Sequence, residues 1–126
     1  MKEVTKELIK NFHLNKYDFM GYRLIKDKCT YHHIIKKCNN GKMTVGNGAP
    51  LMPMNHHYLH IIENYEYYMY RYINEIFMAI HKRGEVLQSD YRLISEILHS
   101  FEDIHKDDRN SKGRILIRRE LFKRDF

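Results

Sequence analysis

The residues best suited to chemistry in this chain lie between Tyr31 and Glu63. His32 and His33 stand side by side, followed by the β-branched Ile34 and Ile35, in a run that suits a strand. Neighbouring strand residues point to opposite faces, so the two imidazoles serve different tasks unless the strand is irregular there. Further on, His56 and His60 are four residues apart, a spacing that puts both rings on one face of a helix. Between these groups lie two turn-forming stretches, Asn39-Asn40-Gly41-Lys42 and Gly46-Asn47-Gly48-Ala49-Pro50, which double the chain back as a short hairpin or Ω-like loop. Three histidines are thereby expected to converge. Imidazole nitrogen is a good ligand for borderline transition metals such as zinc, manganese or nickel and a poor one for magnesium. A histidine that is not bound to metal is mostly neutral at pH 7 and has the right acidity for a general base.

The order His-His, then Asn, then His-x-x-x-His, with a strand before and a helix after, resembles the His-Asn-His (HNH) nucleases. Their core is a ββα-metal unit, a two-stranded ribbon packed on one helix. The resemblance covers the segment from Thr30 to Glu63 and implies a metal-dependent DNA endonuclease or nickase that hydrolyses phosphodiester bonds. It implies that His32, His56 and His60 hold one divalent ion, that His33 is the general base, and that Asn47 is the Asn of the name. Asn47 would then support His33 through its amide, although Gly-Asn-Gly is also an ordinary turn sequence. Glu63, three residues after His60, is placed to orient that ring, while His57 faces away from the pair. Two features depart from the family pattern: Lys36-Lys37 stands where many relatives have a proline, and no C-x-x-C pairs bracket the core.

These side chains need a scaffold. Asn55, just after Pro53, is expected to cap a helix, and Leu59, Ile62, Tyr65, Met69, Ile73, Ile76 and Ile80 recur every three or four residues up to Gly84. That pattern predicts one long helix. A second helix is predicted from Ser89 or Asp90 to about His105, returning antiparallel through the short loop around Gly84. Ahead of the histidines, Val4, Leu8, Ile9 and Phe12 predict an amphipathic helix over 3–14, and a strand is expected over 29–35. Beyond the second helix, a strand over 114–117 and a short basic helix after it are expected. The 126 residues are expected to form a single α+β domain. Its parts are an N-terminal helical arm (1–28), a ββα-metal core (29–82), and a C-terminal helix with a basic tail (89–126).

A formal charge of +6 favours a polyanionic partner. Lys36, Lys37 and Lys42 flank the histidine pair, and Arg114, Arg118 and Arg119 lie in the tail, suited to phosphate contacts that fix register on DNA without reading sequence. No run is long and apolar enough to cross a bilayer, and the first residues are charged where a signal peptide is apolar, so a cytoplasmic protein is expected. Cys29 and Cys38, with eight residues between them, give no disulfide framework. They do allow a competing reading, a closed Cys₂His₂ zinc site of Cys29, Cys38, His56 and His60 in a non-catalytic nucleic-acid- or protein-binding module. Eight intervening residues fit that site poorly, since two to four are usual. A degenerate nuclease fold, acting as an inhibitor or adaptor of a mobile genetic element or phage, is the other non-catalytic alternative. The ten tyrosines are expected to pack half-buried on helix faces rather than to form base-stacking platforms.

Overall fold

Thr5, Leu8 and Ile9 form the buried face of the first helix, α1 (Glu3–Asn11), in the computed structural model, which describes residues 1–106. Glu3 in the first turn and Lys10 in the last complement the helix dipole. The helix ends before Leu14 because His13 adopts a left-handed conformation (φ 53°). The Leu14 N–H then returns to the Ile9 carbonyl (2.9 Å) and the His13 N–H to that of Lys10 (3.1 Å), a helix stop that buries Leu14.

The loop that follows is organised by Asp18, which is fully buried. Its Oδ1 accepts the N–H groups of Met20 (2.8 Å) and Tyr22 (3.1 Å), while Oδ2 accepts the Met52 N–H and the Asn55 amide, each at 2.9 Å. One carboxylate therefore fixes the loop to the start of the helix that carries His56.

Strands β1 (Thr30–His33) and β2 (Gly48–Leu51) pair antiparallel, with His32 opposite Ala49 and His33 opposite Gly48. The first strand is shorter than the expected 29–35. The Ile34 N–H turns to the Asn47 carbonyl (2.9 Å), and Ile35 is taken by the Asn47 side chain, so both leave the ladder. Gly48 has to be glycine, since a Cβ there would overlap the Tyr31 ring and Leu8.

Helix α2 (Pro53–Tyr65) begins at Pro53, with Met52 as its N-cap. Asn55 was the expected cap. Pro53 instead opens the helix, its fixed φ and missing N–H being no cost at the first position, and the Asn55 amide is directed to Asp18. The single long helix expected up to Gly84 is two helices. The chain breaks at Glu66 (φ −141°, ψ 75°), which ends α2 and begins α3 (Tyr67–Arg83). The Glu66 N–H closes α2 on the Ile62 carbonyl (2.8 Å), and its carboxylate is held by His105 Nε2 (3.0 Å).

Helix α4 (Gln88–His105) returns along α3, after Gly84 in a left-handed conformation (φ 88°). An ion pair at one end and a hydrogen bond at the other tie the antiparallel pairing. Arg83 places a fork on Asp90 (2.8 and 3.1 Å) at the turn, and Glu66 meets His105 at the far end. Phe19, Leu51, Leu59, Ile62, Phe77 and Leu98 are among the fully buried side chains that join the ribbon, the loop and the helices in one core. His81 on α3 braces the ribbon by donating to the Gly48 carbonyl (2.6 Å). The architecture is α+β, as expected. No helix of the described residues is long and apolar enough to cross a membrane. The expected strand over 114–117 and the basic helix after it, with Arg114, Arg118 and Arg119, lie outside the described residues.

Candidate metal centre

The ribbon and α2 bring His32, His56 and His60 together, each offering one nitrogen within 4.8 Å of the others. The His32 ring lies 5.4 Å from that of His56 and 6.0 Å from that of His60, edge-on to both. The cluster grades from inside to outside. His32 is buried at 2% exposure, His56 is half-buried and His60 is open to water.

The second nitrogen of every ring is already engaged, and the partner fixes the tautomer. His32 Nε2 faces the Asn74 Oδ1 at 2.7 Å, an oxygen that can only accept, so Nε2 carries the proton and Nδ1 keeps its lone pair. The orientation of Asn74 is set in turn, because its Nδ2 donates to the Tyr70 carbonyl (3.0 Å). His56 Nδ1 lies 2.8 Å from the Thr30 hydroxyl, whose own proton goes to the Leu51 carbonyl (2.8 Å). His56 must therefore donate through Nδ1, leaving Nε2 free. His60 Nδ1 donates to Glu63 Oε1 (3.0 Å), which again frees Nε2. Lys36 holds the other Glu63 oxygen in an ion pair and lies over the Tyr70 ring (5.7 Å). Such partners on the far side of each ring are the arrangement that orients metal-binding histidines.

The electrostatics point the same way. Burial pushes the His32 pKa down to about 3, against the pull of Asn74 and helped by neighbouring His56, His60 and His33. Burial likewise takes His56 down to about 4, with His60 and His33 adding to it, and lowers His60, with Lys36 and His57 adding. All three rings are thus neutral at pH 7, the form that binds a cation. Zinc–nitrogen bonds of about 2.0–2.1 Å need nitrogens roughly 3.4 Å apart, so modest side-chain rotations would close the set on an ion. Three protein ligands also leave coordination positions open, as catalytic sites do and structural sites do not.

The other expected site residues fall around this cluster. His33, half-buried, packs its ring edge-on against Tyr31 (4.8 Å), near enough to His32 and His56 for its charge to depress both. Asn47 holds the loop after His33. Its Oδ1 accepts the Ile35 N–H (2.7 Å), and its Nδ2 donates to the carbonyls of Ile35 and Lys42, both at 3.0 Å. Lys37 and Lys42 are exposed, whereas Lys36 is paired with Glu63. Neither cysteine joins the cluster. Cys38 is exposed in the turn over Lys37–Asn39, and Cys29 is buried against the Met52 sulfur (3.8 Å), its thiol pushed by burial up to about 12. That geometry gives the four-ligand Cys₂His₂ alternative no support. Thr30 and Asn74 were not foreseen. Thr30 lies two residues before His32 and shows a faint local signal, but Asn74 lies 42 residues away and shows none.

Fold and site together define a small α+β domain with a three-imidazole cluster on a strand–strand–helix unit. No protein-family model, curated protein or solved structure matches the chain.

Proposed function

We propose that the chain is a metal-dependent endonuclease of the HNH type that hydrolyses phosphodiester bonds in DNA in the cytoplasm. One observation carries this reading: three neutral imidazoles converge on a ββα unit, each with its remaining N–H already tied to a fixed acceptor. His32, His56 and His60 would hold one divalent ion, zinc, manganese or nickel in preference to magnesium. When bound, such an ion acts as a Lewis acid toward a phosphate oxygen and the leaving oxygen.

The remaining work falls to the chain's own groups. His33, on the strand beside His32, accepts the proton of the attacking water. Asn47 pins the backbone of Ile34 and Ile35 and so holds the His33 end of the strand in place. Lys37 and Lys42 are positioned at the surface to contact phosphates, and Lys36 acts through Glu63 on the orientation of His60. Supercoiled plasmid incubated with the protein and a panel of divalent ions, with a chelator control, tests the reading. Cleavage is expected with transition metals and not in chelator. His33→Ala should bind metal as wild type does yet cut about a hundred- to ten-thousand-fold more slowly, and Asn47→Ala should slow cleavage less. Metal binding without cleavage by any ion would favour a non-catalytic module.

A further inference from the structure

We propose that the cleft between the loop after β1 and the adjoining side of α3 receives one unpaired nucleobase of the strand held at the histidine cluster, so that the substrate is single-stranded or locally unpaired DNA. The proposal rests on the nuclease reading and adds the form of the substrate. The cleft is open to solvent and offers about 260 Å³, with Ile35, Lys36 and Asn39 on one side and Tyr67, Arg71 and Met78 on the other. That is slightly below the range of drug-sized ligand pockets and suits a single ring system better than a peptide segment.

The cleft shares a wall with the metal centre. Tyr70 lines the cleft, and its ring centroid lies 6.1 Å from His32 and 6.4 Å from His60. Asn74 also lines it while holding His32. A group in the cleft is therefore one side chain away from the metal ligands, the relation of a base to its neighbouring phosphate.

The lining has the chemistry of a base site rather than a phosphate site. Tyr67, Ile35 and Met78 are each about half exposed (53%, 49% and 51%), leaving flat apolar surface to water. The Tyr67 ring stands 5.9 Å from that of Tyr70, tilted by 34°. The charged and amide groups at its mouth mix donor and acceptor: the Arg71 guanidinium, the Lys36 ammonium that Glu63 pairs, the Asn39 amide and the Glu75 carboxylate. A carboxylate repels phosphate but accepts from the amino edge of a base. Tyr68 and Tyr72, 53% and 57% exposed, continue this surface along α3 beside Arg71 and Glu75. Tyr67, Tyr68 and Tyr72 are half-buried, as expected of the tyrosines, but each leaves about half of its surface open beside Arg71 and Glu75, and an open ring next to a cation is a surface on which an unpaired base can stack. In a duplex the bases are paired and stacked, and one could enter the cleft only after extrusion at a cost in energy.

The test measures binding by the full chain, in chelator, to a fluorescent mixed-sequence single strand and to the blunt duplex of the same sequence. Wild type should bind the single strand more tightly at equal salt. Tyr67→Ala, and Met78→Trp, which fills the cleft from an exposed position, should each weaken single-strand binding by roughly tenfold or more while duplex binding holds. Tyr67→Phe should retain wild-type affinity. Tighter duplex binding, or equal losses on both forms, overturns the proposal. If wild type still cuts plasmid in that case, the nuclease reading survives without it. Binding to neither form of DNA also overturns the proposal, and the nuclease reading falls with it only if plasmid cleavage with every ion fails as well.

Discussion

Asn74 is not one of the expected metal ligands, yet it decides which nitrogen of His32 is free to be one. Asn74→Leu removes the acceptor 2.7 Å from His32 Nε2 while nearly conserving volume. The Nε2–H is then unpaired in a ring 2% exposed, which costs about 1–3 kcal/mol of stability. Nothing then holds His32 in the tautomer with its lone pair on Nδ1. Loss of such an orienting partner typically lowers metal affinity 10- to 100-fold, about 1.4–2.7 kcal/mol. Asn74→Asp is the matching control, since it keeps an acceptor toward His32 but gives up the bond to the Tyr70 carbonyl (3.0 Å). Both variants should lose stability, measured by urea unfolding in chelator. Only the Leu variant should lose affinity, measured by calorimetric titration with zinc at matched folded fraction. Wild-type zinc affinity in the Leu variant would refute tautomer selection by Asn74. Equal loss in the two variants would reduce the effect to packing.

His32→Ala, His56→Ala and His60→Ala should each lower transition-metal affinity in the same titration, while Cys29→Ser and Cys38→Ser should leave it unchanged; the reverse pattern would restore the Cys₂His₂ alternative. The metal-free protein should also be acid-sensitive. His32 takes up a proton near pH 6.5 when unfolded but only at about 3 when folded. Between those values the unfolded chain binds the extra proton, so stability is complete above about pH 6.5 and falls as the pH drops, by up to about 1.4 kcal/mol per pH unit from His32. Urea unfolding in chelator from pH 7 to pH 4 measures that slope, and His32→Leu should flatten it. An unchanged slope in that variant would assign the acid sensitivity to other groups.

The local part of this site could be read in the sequence because its signals are local. A spacing of four places His56 and His60 on one helix face whatever the rest of the chain does. Alternation separates His32 from His33 in any strand. Gly84 marks a helix end wherever the helix points, and the antiparallel pairing of α3 with α4 follows from a short loop. The polar partners were harder to foresee. Asp18 reaches Asn55 across 37 residues, and Asn74 reaches His32 across 42. No periodicity encodes such pairs, because each is decided by where whole elements dock. The tyrosines of α3 show the same limit. Their spacing was compatible with a packed face, but only the position of α4 and the loop after β1 decides which rings are covered.

The break at Glu66 is hidden from the hydrophobic pattern for a related reason, and the histidine cluster depends on it. Apolar residues recur every three or four positions straight through Tyr65 and Met69, so hydrophobic period alone reads one helix. Period reports which side of a helix is apolar and says nothing of whether the axis bends. In an unbroken helix Asn74 would lie 18 residues beyond His56, roughly 27 Å along the axis at 1.5 Å per residue. One imidazole could not then contact both. In the folded chain His32 does: its ring is 5.4 Å from that of His56 and its Nε2 is 2.7 Å from Asn74. The axis has to turn between them, and the residue at the turn is the one whose carboxylate His105 holds from α4. Two helices fixed at that corner close around a strand histidine from both sides. α2 supplies the other two rings, and α3 supplies the acceptor that leaves the His32 Nδ1 lone pair free.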